Sequence, residues 1–83
     1  MRYQSTLRAV FADPVRANIA WADIEKMFVR LGGEVSEGGG SRVRVALNGA
    51  RAVFHRPHPE KEASKPAIRS VRRFLTEAGV SNP

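Results

Sequence analysis

The chain has 83 residues, no cysteine and a formal net charge of +6. A chain this short is expected to form one domain with a small core, and the missing thiols exclude a disulfide framework or a thiolate metal site. No apolar run approaches the roughly 18 residues of a membrane span, and the N-terminus lacks the apolar stretch of a signal peptide, so the expectation is a soluble cytoplasmic protein.

The distribution of charge says more than its total. Residues 1–37 carry five Lys/Arg against five Asp/Glu, whereas residues 38–83 carry nine Lys/Arg against three Glu. All of the excess lies in the second half. One-sided positive charge suits a polyanion, whose condensed counterions are released on binding.

Ser5 is placed to cap a short helix over about Thr6–Ala12, with Leu7, Val10 and Phe11 on one face. Asp13-Pro14 ends it. Ile19 and Trp21 lead into a second helix, about Ala22–Leu31, whose stripe Ile24, Met27, Phe28, Leu31 follows i, i+3, i+4, i+7. Gly32 is a C-terminal cap. Val35 anchors a short strand around Gly33–Ser36, and Gly38-Gly39-Gly40 reads as a flexible turn rather than a phosphate cradle, because no strand-to-helix crossover follows.

Residues Arg42–Leu47 alternate as a half-buried strand. Asn48-Gly49 favours a two-residue type I′ hairpin turn, and the chain returns as Ala50–His55. That turn fixes the register: Leu47 opposite Ala50, Val45 opposite Ala52 and Val43 opposite Phe54 on a buried face; Ala46 opposite Arg51, Arg44 opposite Val53 and Arg42 opposite His55 on the other. Residues 56–63, with two prolines, are expected to form a polar loop. Ser64 is an N-cap and Pro66 fits the first turn of a third helix. Ile68, Val71, Phe74, Leu75 and Ala78 form its inner face, leaving Arg69, Arg72 and Arg73 on a solvated side, and Gly79 ends it.

The expected fold class is α+β: a helix, a three-stranded antiparallel sheet and a helix, with an extra short N-terminal helix. Both main helices cover one sheet face and leave the other open. Residues 1–83 read as one domain, with 1–17 an N-terminal extension and 18–80 the core.

The open face and the following loop gather the residues that can carry chemistry. Metal-free RNA cleavage needs a base for the 2′-hydroxyl, an acid for the leaving oxygen and cations for the phosphorane charge. His55 and His58 are the candidates for proton transfer; Arg42, Arg44, Arg51, Lys61 and Lys65 are candidates for phosphate. A solvated sheet face and a turn-forming His58 are the bland readings of the same residues. No metal site is expected, since two histidines three apart have only Glu60 beside them. Trp21 is in phase with Ile24 and Leu31 and reads as core.

Gly40-Ser41 before the hairpin, Pro57-His58-Pro59, the segment Ile68–Leu75 and the closing Ala78-Gly79-Val80 occur in an order and spacing that resembles the HicA family of toxins, over about residues 19–80. The resemblance implies a fold like a double-stranded RNA-binding domain. It also implies a metal-independent mRNA interferase without cofactor, inhibited by a HicB-type antitoxin that covers its active face. The family places a catalytic histidine directly after Gly-Ser, where this chain has Arg42. His55 lies directly across from Arg42, and opposed residues have Cβ atoms roughly 4.5–5.5 Å apart, so the imidazole is expected to have moved one strand over. Two alternatives stand beside the toxin reading: a non-catalytic RNA-binding module of the same fold, and a basic interaction protein for an acidic partner.

Overall fold

The computed structural model describes residues 3–81. In chain order the elements are α1 (Tyr3–Val10), β1 (Ile19–Ala20), α2 (Trp21–Arg30), β2 (Glu34–Glu37), β3 (Arg42–Leu47), β4 (Ala50–His55), β5 (Glu62–Ala63) and α3 (Lys65–Glu77). Strands β2-β3-β4 form an antiparallel sheet in that order, and β1 and β5 form a separate two-stranded pair.

The hairpin has the register expected from its turn, residue by residue from Leu47↔Ala50 to Arg42↔His55. Asn48 (φ 50°) and Gly49 (φ 85°) both occupy the left-handed region that a type I′ turn demands. The Asn48 amide does a second job: Nδ2 donates to the carbonyl of Ala78 at 2.9 Å, tying the turn to the end of α3. Gly33 is also fixed by its surroundings, because a Cβ there would lie 2.9 Å from the Phe28 carbonyl oxygen and 3.2 Å from that of Ala46. Only a glycine lets α2 pass into β2 so close to β3.

The core lies between one face of the sheet and the helices. Val43, Val45, Leu47 and Phe54 come from the hairpin, Ile24, Met27 and Phe28 from α2, and Ile68, Val71, Phe74 and Leu75 from α3. Four aromatic rings bind these layers together. Phe54 lies 5.6 Å from Phe28, 5.8 Å from Phe74 and 5.7 Å from Trp21, and Phe28 meets Phe74 edge-on at 5.6 Å. Such pairs add about 0.5–1.5 kcal/mol each beyond the area they bury.

Several boundaries differ from the sequence-based expectation. Helix α1 starts at Tyr3, so Ser5 lies inside it and caps nothing. Tyr3 packs against the core, and the Arg30 guanidinium sits 5.8 Å over its ring, so tertiary contact extends the helix by a turn. Helix α2 begins at Trp21, preceded by Ala20 without a side-chain cap. Strand β2 is shifted one residue, to Glu34–Glu37. Ala50 and Ala52 are half-buried rather than buried, as small side chains on an edge strand.

The expected polar loop contains β5, where Ile19 pairs with Ala63 and Ala20 with Glu62. The Trp21 amide continues that ladder to the carbonyl of Lys61 at 2.9 Å. Two-residue strands are too short to leave a periodic signal.

At the start of α3, Ser64 accepts a hydrogen bond from the Ala67 amide at 3.3 Å, as expected of an N-cap. At its end, Gly79 is left-handed and the Val80 amide returns to the Leu75 carbonyl at 2.9 Å. Arg72 is the correction on this helix. It is not part of a solvated face: Nε and Nη2 donate to the Val10 carbonyl at 3.0 and 2.8 Å, and Nη2 also donates to the Ala12 carbonyl at 2.8 Å. It binds the C-terminal end of α1, whose Leu7 and Val10 are buried in the common core.

Candidate active site and nucleic-acid interface

The sheet face turned away from the helices carries Arg42, Arg44, Arg51 and His55, all exposed. With a two-residue turn closing the hairpin, the pairs Arg42↔His55, Arg44↔Val53 and Ala46↔Arg51 fall at the narrow, non-hydrogen-bonded positions of the ladder. Cα atoms there approach to roughly 4.5 Å and side chains are at their closest. Arg44 and Arg51 line a shallow hollow on this face with Glu34, Ser36 and Val53.

Where β4 ends, the surface folds into a groove of about 750 Å³. His55, Arg56, His58, Lys61, Ser64 and Ala67 are among the residues that line it. Both histidines thus open onto one space, together with Lys61 and the first turn of α3. Lys65 starts α3 and is exposed without lining the groove, and Arg42 stands beside His55 on the sheet. Among the described residues, no cluster of three or more His, Cys, Asp or Glu side chains is placed to hold a metal ion.

Sequence reasoning missed the ion cluster behind this groove. Arg56, the residue after His55, reaches across the end of the sheet from β4 to β2. Its Nε and Nη2 donate to the Glu25 carboxylate on α2 at 2.8 and 3.1 Å. Its Nη1 and Nη2 donate to the Glu37 carboxylate on β2 at 2.8 and 2.9 Å. The Trp21 indole N–H donates to Glu25 as well. On the main chain, the Arg56 amide donates to the Ser41 carbonyl at 2.8 Å.

The hydrogen bonds that Arg56 donates to Glu25, followed by those to Glu37, raise its pKa above the ordinary value. The bonds that Glu37 accepts from Arg56, and then the Arg56 charge, hold the Glu37 carboxyl below the usual carboxylate range. The partners are 31 and 19 residues from Arg56, so no local spacing announces them. The one available signal is two carboxylates in a charge-balanced first half facing a surplus of arginine in the second.

The family model described as "HicA toxin of bacterial toxin-antitoxin" matches residues 21–80. The chain belongs to the HicA toxin family. It is therefore a toxin of a toxin–antitoxin system, and family membership implies an antitoxin partner. No curated protein and no solved structure matches it. The HicA match begins at Trp21 and ends at Val80, so it spans α2, the three-stranded sheet, β5 and α3, while α1 and β1 lie outside it. Among the described residues of this HicA chain, no helix is long and apolar enough to cross a membrane.

Proposed function

We propose that this HicA protein is a metal-independent endoribonuclease that cuts mRNA, and that it is silenced by a HicB-type antitoxin in the cytoplasm. The observation that carries the reading is that His55 and His58 line one groove, with Arg42 paired to His55 across the hairpin. In the proposed reaction one imidazole takes the proton of a 2′-hydroxyl as its oxygen attacks the adjacent phosphorus. The other protonates the departing 5′-oxygen. The P–O2′ bond forms and the P–O5′ bond breaks, leaving a 2′,3′-cyclic phosphate and a 5′-hydroxyl.

Arg42 and Arg44 bind the phosphate that gains charge in the transition state; Arg51, Lys61 and Lys65 hold flanking phosphates. No cofactor enters this scheme. Cleavage of RNA by purified protein in excess chelator tests it. Each of His55→Ala and His58→Ala is expected to lose about 10²–10⁴-fold in rate while still binding RNA. A wild-type protein that binds RNA and never cuts it supports the second reading, a binding module. The feature in favour of that reading is Arg42 standing where the family's histidine is expected.

A further inference from the structure

Among the described residues strand β4 is an edge of the sheet: β3 lies on one side of it and no strand on the other. Its inward-facing residues Ala50, Ala52 and Phe54 fall at the hydrogen-bonded positions opposite β3, so the main-chain N–H and C=O groups of Arg51, Val53 and His55 point to the open side. Exposed sheet edges of this kind are usually blunted by proline, lysine or a bulge. This one has a regular six-residue ladder and neither residue type.

The side chains along the open edge alternate in chemistry. On the outer face Arg51, Val53 and His55 read basic, apolar, basic, and Val53 is 56 % exposed. On the inner face Ala50 and Ala52 are small and half-buried, leaving a shelf beside the core. The second row of the outer face adds Arg42 and Arg44.

We infer that the β4 edge is a docking site for an extended polypeptide segment of the protein partner, which joins the sheet as a fourth strand. The segment is acidic at alternate positions, facing Arg51 and His55, and apolar at the positions between them, which settle on the Ala50–Ala52 shelf. Main-chain pairing supplies affinity and the alternating side chains supply selection. An RNA strand does not repeat donors and acceptors at the spacing of a β-ladder, so the ladder favours a polypeptide. A second copy of this chain is a poor occupant. Two β4 strands paired through Val53 bring the Arg42, Arg44 and Arg51 rows of both copies onto one face, like charge beside like charge. A strand added here lies against His55. Resting on the reading of His55 as catalytic, docking and inhibition of cleavage are one event.

The test is amide exchange and chemical-shift mapping of the full chain by NMR, titrated with the capped synthetic peptide Glu-Val-Glu-Val-Glu-Val-Glu. A control peptide carries N-methyl groups at alternate amides, which keeps the charge and abolishes pairing. The expected result is slowed exchange at the amides of Arg51, Val53 and His55 with the unmodified peptide alone. Val53→Pro removes an N–H on the open side only, so the ladder to β3 is kept while protection is lost. Should that variant fail to fold, Arg51→Glu serves, and it is expected to weaken peptide binding by roughly fivefold or more.

Equal binding of the control peptide, shifts at arginine side chains without amide protection, or the same protection from an RNA oligonucleotide or from raising protein concentration alone each overturns the inference. The peptide-free cleavage assay is read separately. An inactive wild type sinks the ribonuclease reading and leaves the docking edge standing.

Discussion

The Arg56 guanidinium bridges Glu25 and Glu37, holding Glu25 through Nε at 2.8 Å and Glu37 through Nη1 at 2.8 Å. One side chain therefore ties the exit of β4 to both α2 and β2. Because its backbone is also bonded to Ser41, the residue directly after His55 is fixed from two sides. Arg56→Lys is expected to recover only part of the thermal stability lost in Arg56→Ala, since a single ammonium lacks the planar fork that serves two carboxylates. Equal melting temperatures for the lysine variant and wild type would show that geometry is irrelevant to the clamp.

The clamp also sets an acid limb. The folded-state pKa of Glu37 is lowered by Arg56, so its contribution is present above the unfolded value of about 4.5 and is lost as pH falls from there through the folded value. Arg56, whose pKa is raised, stays charged across that range, so the loss follows the protonation of Glu37. Glu37→Gln is expected to flatten the dependence of melting temperature on pH below about 4.5, as scanning calorimetry across that range would reveal.

Phe54 touches three other rings and is 7 % exposed. Phe54→Ala is expected to cost about 3–5 kcal/mol in denaturant melts, the range for deleting a buried aromatic. A loss under 1 kcal/mol would mean that the ring cluster is not the keystone of the core.

The Arg42↔His55 pair predicts a rescue. His55→Ala should abolish most cleavage, and adding Arg42→His to it should restore roughly tenfold or more of the lost rate, because the new imidazole starts from a neighbouring Cβ on the same face. If the double variant is no faster than His55→Ala, the two positions do not share a catalytic role.

Association with the antitoxin is expected to accelerate at low salt, because Arg42, Arg44 and Arg51 form one exposed cationic face. Stopped-flow rates that do not change between 50 and 500 mM salt, roughly a threefold change in Debye length, would exclude steering by that face.

The hairpin was legible in the sequence because Asn48-Gly49 imposes a register and alternation then assigns every side chain to a face. The stripes of α2 and α3 were legible for the same reason, one period each. What escaped is long-range and polar. The β1–β5 pairing consists of two residues on each side, and Arg56 and Arg72 find partners far along the chain. Arg72 in particular is indistinguishable from Arg69 and Arg73 until α1 has been placed. Of the candidate site, the sheet residues Arg42, Arg44, Arg51 and His55 followed from register alone. That His58 and Lys61 share a groove with His55 depends on how the Pro57–Pro59 segment turns, which neither periodicity nor composition encodes.

Arg72 also couples two distant stretches of the chain. An eight-residue helix such as α1 does not persist in water by itself. Its last turn leaves carbonyls without intrahelical donors, and the partial negative charge there attracts a cation. Arg72 supplies both the donors and the charge from the middle of α3. The end of α1 therefore depends on α3, and loosening the C-terminal helix also uncaps a helix that lies some sixty residues earlier in the chain.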